Sequence, residues 1–141
     1  MFKTILVPVD IAEPEMSTQA IETAVSLAHQ SSGTVRLIYV RSLIPVTYME
    51  FVPPDFDAEQ QRDAEEKLAD IAAGVALPEG RVSSVVRLGG VYAEVLEEAD
   101  KIAADLIVVG SHRPKMSTYL LGSNAATIVR HAHCSVLVIR K

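Results

Sequence analysis

The chain has 141 residues, the size of an ordinary domain, and its 49% apolar and 22% charged content supports a buried core and excludes general disorder. Tryptophan is absent and there is one cysteine, Cys134, so the core must be built from Val, Ile, Leu and Ala and no intramolecular disulfide can form. A net charge of −5 gives no basic field for nucleic acid, although helix N-terminal N–H groups can hold a nucleotide phosphate without any lysine.

Strand-like apolar runs alternate with helical patterns along the chain. Phe2 to Val9 reads as a strand. Met16 to Gln30 reads as a helix, with Ile21, Ala24, Val25 and Ala28 at i, i+3, i+4 and i+7 and Gly33 suited to its stop. Thr34 to Val40 is a second strand. Residues 41 to 57, with Pro45, Pro53 and Pro54, form an irregular connection at the sheet edge. Ala58 to Val75 is a helix with Ala64, Leu68, Ile71 and Ala72 on one face and a solvated charge run opposite. Val82 to Leu88 is a third strand, and Gly89-Gly90 turns into a helix from Val91 to Ala103, with Val95, Ala99, Ile102 and Ala103 inward. Leu106 to Val109 is a fourth strand, a polar loop runs to Gly122, Ser123 to His131 is a short helix, and Val136 to Ile139 is the last strand.

This order predicts a single α/β domain over 1–141: an open, doubly wound, five-stranded parallel sheet of order 3-2-1-4-5, with helices on both faces. Ligands of such sheets bind beyond the carboxyl ends of the strands, where strand order reverses, here between the first and fourth strands. The first ends in Pro8-Val9-Asp10 and the fourth in Val109-Gly110-Ser111-His112. Gly110 suits a close backbone approach or a positive φ, and Gly122-Ser123-Asn124-Ala125 opens the next helix with free N–H groups suited to an anion. The alternative for that turn is a plain N-cap by Ser or Asn.

These residues resemble the universal stress protein family. Its nucleotide-binding members carry Gly, two residues, Gly, nine residues, then Gly-Ser or Gly-Thr. The corresponding stretch here runs from Gly110 to Gly122-Ser123, with ILVPVD (Ile5 to Asp10) before it and RHAHCSVLVIR (Arg130 to Arg140) after it. Arg113-Pro114 stands where the second glycine is expected, and the stretch to Gly122 is one residue shorter, so the loop reads as a variant form in which Arg113 sets a charge against the phosphates.

The resemblance implies the adenine nucleotide alpha hydrolase-like fold and an adenine nucleotide, ATP or AMP, as ligand. Asp10, with the backbone of Pro8 and Val9, would meet the adenine, and Val40 would pack against it. Val109 and Gly110 would line the ribose, with Ser111 and His112 beside it. Gly122, Ser123, Asn124 and Ala125 would hold the phosphates. Asp10 has two alternatives, as a Mg²⁺ ligand or as a turn-capping residue. A regulatory role in stress response follows as the expectation, with slow ATP hydrolysis or loss of nucleotide binding as the alternatives. So do an unidentified regulatory protein partner and a homodimer through the last strand, with a tetramer as the variant.

Other readings are weaker. His112, His131, His133 and Cys134 lack a recognised zinc spacing, Cys134 lacks a base in any motif, and there is no Walker A sequence. No apolar run approaches the roughly 20 residues of a membrane span. The first strand begins almost at Met1, leaving no room for a signal peptide, so a cytoplasmic protein is expected.

Overall fold

The computed structural model describes residues 1–43, 50–111 and 122–140. Its strands are β1 (Thr4–Pro8), β2 (Thr34–Arg41), β3 (Val82–Leu88), β4 (Leu106–Gly110) and β5 (Ser135–Ile139). Its helices are α1 (Thr18–Ser31), α2 (Phe56–Ala73), α3 (Val91–Lys101) and α4 (Ser123–His131), and one 3₁₀ turn, Pro14–Ser17, precedes α1. All strand pairs are parallel, in the order β3-β2-β1-β4-β5 expected from the alternating pattern. Ile5 of β1 stands between Val35 of β2 and Leu106 of β4. The Asp105 carboxylate accepts the N–H groups of Lys3 and Thr4 at 2.8 and 3.0 Å, which ties the amino ends of β1 and β4 together.

Side chains of β1 alternate between two cores, as the period of two requires. Ile5 and Val7 join Val35, Leu37, Leu106 and Val108 under α1 and α2, while Leu6 joins Ile38, Val40, Ile107 and Val109 under α3 and α4. The buried ridge of α1 takes only part of the apolar pattern read from sequence. Ala20, Ala24 and Ala28 form the buried ridge, and Ile21 and Val25 are rotated to its flank, half-buried. Alanine side chains let the helix approach the sheet closely, so the larger apolar residues are displaced sideways.

Helix ends also differ in detail. Ser32, at φ 57°, takes the left-handed position that closes α1, and the Gly33 N–H returns to the Ala28 carbonyl at 2.9 Å. Gly33 is required for another reason: a Cβ there would lie 2.7 Å from the Lys3 carbonyl oxygen. Ala103 does not face inward, because α3 ends at Lys101 and Ala103, at φ 52°, is exposed in the turn that follows. Helix α2 begins at Phe56, two residues earlier than read, so the irregular connection is shorter than 41–57. Pro45 and Tyr48 of that connection lie outside the described residues.

The α3 side holds a charge cluster that apolar periodicity hides. Glu98, 0% exposed, accepts 2.6 and 2.8 Å hydrogen bonds from Arg36 of β2 and Arg87 of β3. Arg87 also pairs with Glu94 and Glu97 at 2.8 and 3.0 Å, and Arg36 donates to the Ser83 hydroxyl. Burial opposes ionisation of Glu98, but the hydrogen bonds from Arg87 and Arg36 outweigh it and hold the carboxyl below its ordinary 4.5. The Glu94 hydrogen bond, reinforced by Glu98, raises Arg87 above the usual guanidinium value against the opposing effect of burial.

Candidate functional site

At the carboxyl edge the reversal of strand order sets β1 beside β4, so the helices that follow them leave toward opposite faces. Val9 continues the line of β1, its N–H donating to the Ile38 carbonyl at 2.8 Å. The chain then turns at Asp10. Asp10 Oδ1 accepts the Ala12 N–H at 3.0 Å, and the Asp10 N–H donates to Ser17 Oγ at 3.3 Å. The carboxylate thus takes the turn-capping role, with Oδ2 accepting no hydrogen bond from the described residues.

On the β4 side, Gly110 ends the strand without a positive φ, which among the described glycines occurs at Gly80 and Gly89. A Cβ on Gly110 would lie 3.9 Å from the Met16 carbonyl oxygen, so the 3₁₀ turn after Asp10 sits against the end of β4. Ser111 is 2% exposed; its N–H donates to the Ile139 carbonyl and its carbonyl accepts the Gly122 N–H at 2.7 Å. Gly122 is therefore stitched directly to the end of β4, although the segment between them lies outside the described residues. His112 and Arg113 fall in that segment.

Gly122 is the N-cap of α4, and no side chain among the described residues caps the helix, so the Ser or Asn cap considered from sequence is not formed. The Ala126 N–H makes the first return bond, to the Gly122 carbonyl at 2.9 Å. That leaves the N–H groups of Ser123, Asn124 and Ala125 with no partner among the described residues, at the positive end of the helix dipole. A Cβ on Gly122 would meet the Ser111 carbonyl oxygen at 3.2 Å, a tight contact, so a small residue keeps this junction close.

The structure brings Val40, Val109 and Ala125 together at the top of the α3/α4 core, 8%, 4% and 7% exposed. Val9, 5% exposed, belongs to the α1/α2 core instead. Two participants were not legible as such. Ser17 lay inside the expected first helix, yet its hydroxyl holds the Asp10 backbone; Pro14, at the start of a 3₁₀ turn, was the available signal. Arg41 is nearly buried at the end of β2, where its guanidinium binds Gln61 Oε1 and Asp57 Oδ1 at 2.8 and 2.7 Å and fastens the start of α2 to the same sheet edge.

A family model for the universal stress protein family matches residues 1–140. The chain belongs to the universal stress protein family. It is 38% identical over 143 residues to universal stress protein G of Escherichia coli O157:H7, an alignment covering 99% of this chain and 100% of that protein. Among solved structures, it resembles a universal stress protein from Archaeoglobus fulgidus in complex with dAMP, at 19% identity and TM-score 0.65, covering 99% of this chain and 98% of that one. It also resembles a universal stress protein in complex with cAMP, at 24% identity and TM-score 0.62, covering 99% of this chain and 97% of that one. At those identities the likeness to the two structures is one of fold. Among the described residues, no helix is long and apolar enough to cross a membrane.

Proposed function

We propose that this protein binds an adenine nucleotide, ATP or AMP, in the crevice between β1 and β4, and acts as a cytoplasmic regulator in stress response. The observation that carries this reading is the convergence of the uncapped α4 N-terminus, joined through Gly122 to Ser111, with the Asp10 turn at the point of strand reversal. Fold neighbours in complex with dAMP and cAMP support the same ligand class. In this reading the base lies near Pro8, Val9, Asp10 and Val40, and the ribose near Val109 and Gly110. The phosphates meet the N–H groups of Ser123, Asn124 and Ala125, with His112 and Arg113 of the intervening segment as further contacts and Mg²⁺ as an accompanying ion.

Mass spectrometry of ligand released from the purified, denatured protein is expected to find an adenine nucleotide. Calorimetry should show tighter binding of ATP or AMP than of GTP, because guanine sets an oxo acceptor where adenine offers an amine donor. Equal affinity overturns the base assignment. Gly122→Val should weaken binding more than tenfold, since the branched side chain, already tight against the Ser111 carbonyl, displaces the helix N-terminus from the phosphates. Unchanged binding would move the phosphate site elsewhere.

The same reading includes a homodimer. Strand β5 pairs with β4 on one side, its other edge is the border of the sheet, and Val136, Leu137, Val138 and Ile139 are all half-buried. Open apolar edges are normally paired, covered or charged. Val138→Pro is expected to shift a dimer to monomer by light scattering; an unchanged dimer assigns the contact to another surface.

A further inference from the structure

Helices α1 and α2 lie on the same face of the sheet but leave an open groove between them, with a volume of about 1080 Å³. Its α1 wall is Thr18, Ile21, Glu22, Val25, Ser26, His29 and Gln30, a spacing of i, i+3, i+4, i+7, i+8, i+11 and i+12. That is a complete second helical stripe beside the alanine ridge that faces the sheet. The α2 side contributes Asp70, Ile71, Gly74, Val75 and Ala76. Ile21, Val25, Ile71 and Val75 are half-buried and set an apolar floor in the wide cleft.

Charge decides what fits. Glu15, Glu22 and Asp70 line the groove, and among the described residues no Lys or Arg does. His29 is held at the edge, its Nε2 2.8 Å from the Ala76 carbonyl oxygen. From Thr18 to Gln30 the wall is about 18 Å long at 1.5 Å per residue, the length of three helical turns. A site of this length, open and walled by two helices, suits the side-chain stripe of a third helix better than a small molecule.

We propose that the groove between α1 and α2 is a docking site for an amphipathic helix of a partner protein, one that carries Lys or Arg beside its apolar stripe. The apolar stripe lies over Ile21, Val25, Ile71 and Val75, and the cations pair with Glu15, Glu22 and Asp70. The groove shares no residue with the nucleotide site proposed above, although its Glu15 end adjoins the Asp10 turn, and the proposal does not depend on the nucleotide reading.

The test is selection of a displayed library of random 16-residue peptides on the full chain, counter-selected against the Glu22→Lys/Asp70→Lys variant. Enriched peptides should carry apolar residues at i, i+3 or i+4 and i+7 with net positive charge. A synthesised winner should become helical on binding and shift amide resonances within 18–30 and 70–76. Its affinity should fall at least tenfold both in the charge-reversed variant and in Val25→Asp. Glu22 and Asp70 are both exposed, so the charge-reversed variant carries the test even if Val25→Asp is unstable. No enrichment, neutral or acidic winners, equal binding to the charge-reversed variant, or resonance shifts confined to other elements each overturn the proposal. So does self-association that survives Val138→Pro but is lost in Glu22→Lys/Asp70→Lys, because that result gives the groove to a second copy of this chain.

Discussion

The two faces of the sheet solve the same covering problem in different ways. On one, α3 and α4 pack beside each other as well as on the strands, and a buried carboxylate is held between two arginines. On the other, α1 lies close on an alanine ridge, α2 covers β2 and β3, and a groove remains between the two helices. The first face is closed and electrostatically committed. The second meets the sheet mainly through apolar side chains, with Arg41 of β2 bound to Asp57 and Gln61 of α2 at the sheet edge, and leaves a helix flank uncovered. Burial alone would rank the two faces as equivalent; what separates them is how much each loses when one group is changed.

The largest loss is expected at Glu98. Removing one member of a buried ion cluster leaves the others desolvated and unpaired, so Glu98→Ala should cost about 3 kcal/mol in urea unfolding. Arg36, with its side chain 32% exposed, can recover some hydration, which sets the expectation at the lower end of the usual range. A loss below about 1 kcal/mol would mean that water reaches the cluster and that the two faces are electrostatically alike. The pH dependence sharpens the same point. The folded pKa of Glu98 lies below its ordinary 4.5, so its contribution is complete above that value and is lost as pH falls through the folded one. The stability gap between wild type and Glu98→Gln should therefore be widest near neutral pH and close on acidification. A gap that stays constant from neutral pH down to about pH 3 would contradict the assignment.

The closed face was also the less legible one. The apolar strands, the glycine turn before α3 and the strand order could be read from periodicity, because near-continuous apolar runs separated by helices allow few topologies. Glu98 could not. It falls between Val95 and Ala99 on the buried face of α3, and a local pattern treats a single glutamate there as solvated; its partner Arg36 is distant in sequence, and Arg87 of the preceding strand reaches it only once the chain has folded back across Gly89-Gly90. The candidate site divides similarly. Asp10, Gly110, Ser111 and Gly122 are legible as small or polar residues after apolar strands. The bond that joins Gly122 to Ser111, and the Ser17 hydroxyl that fixes the Asp10 turn, depend on tertiary approach. In α1 the pattern located the helix but not its rotation, because alanine is weakly apolar in a periodicity count and yet best suited to close approach.

That rotation supplies the smaller tests, at two neighbouring residues. Ala24 is 0% exposed against the sheet, so Ala24→Leu should destabilise by about 1–3 kcal/mol through overpacking, read as a lower urea midpoint. Val25 is half-buried on the groove side, outside the cluster that packs on the sheet. Val and Asp have similar helix propensities, so the backbone cost of exchanging them in mid-helix is small. What remains is the loss of partial apolar contact in an open groove, and Val25→Asp should cost only about 0.5 kcal/mol. The order matters more than either number. If the inward stripe were Ile21, Ala24, Val25 and Ala28, an aspartate at 25 would be a buried unpaired charge and the more damaging of the two. Urea midpoints in which Val25→Asp falls further than Ala24→Leu would restore that stripe and close the groove; the opposite order keeps the α1 flank open beside α2.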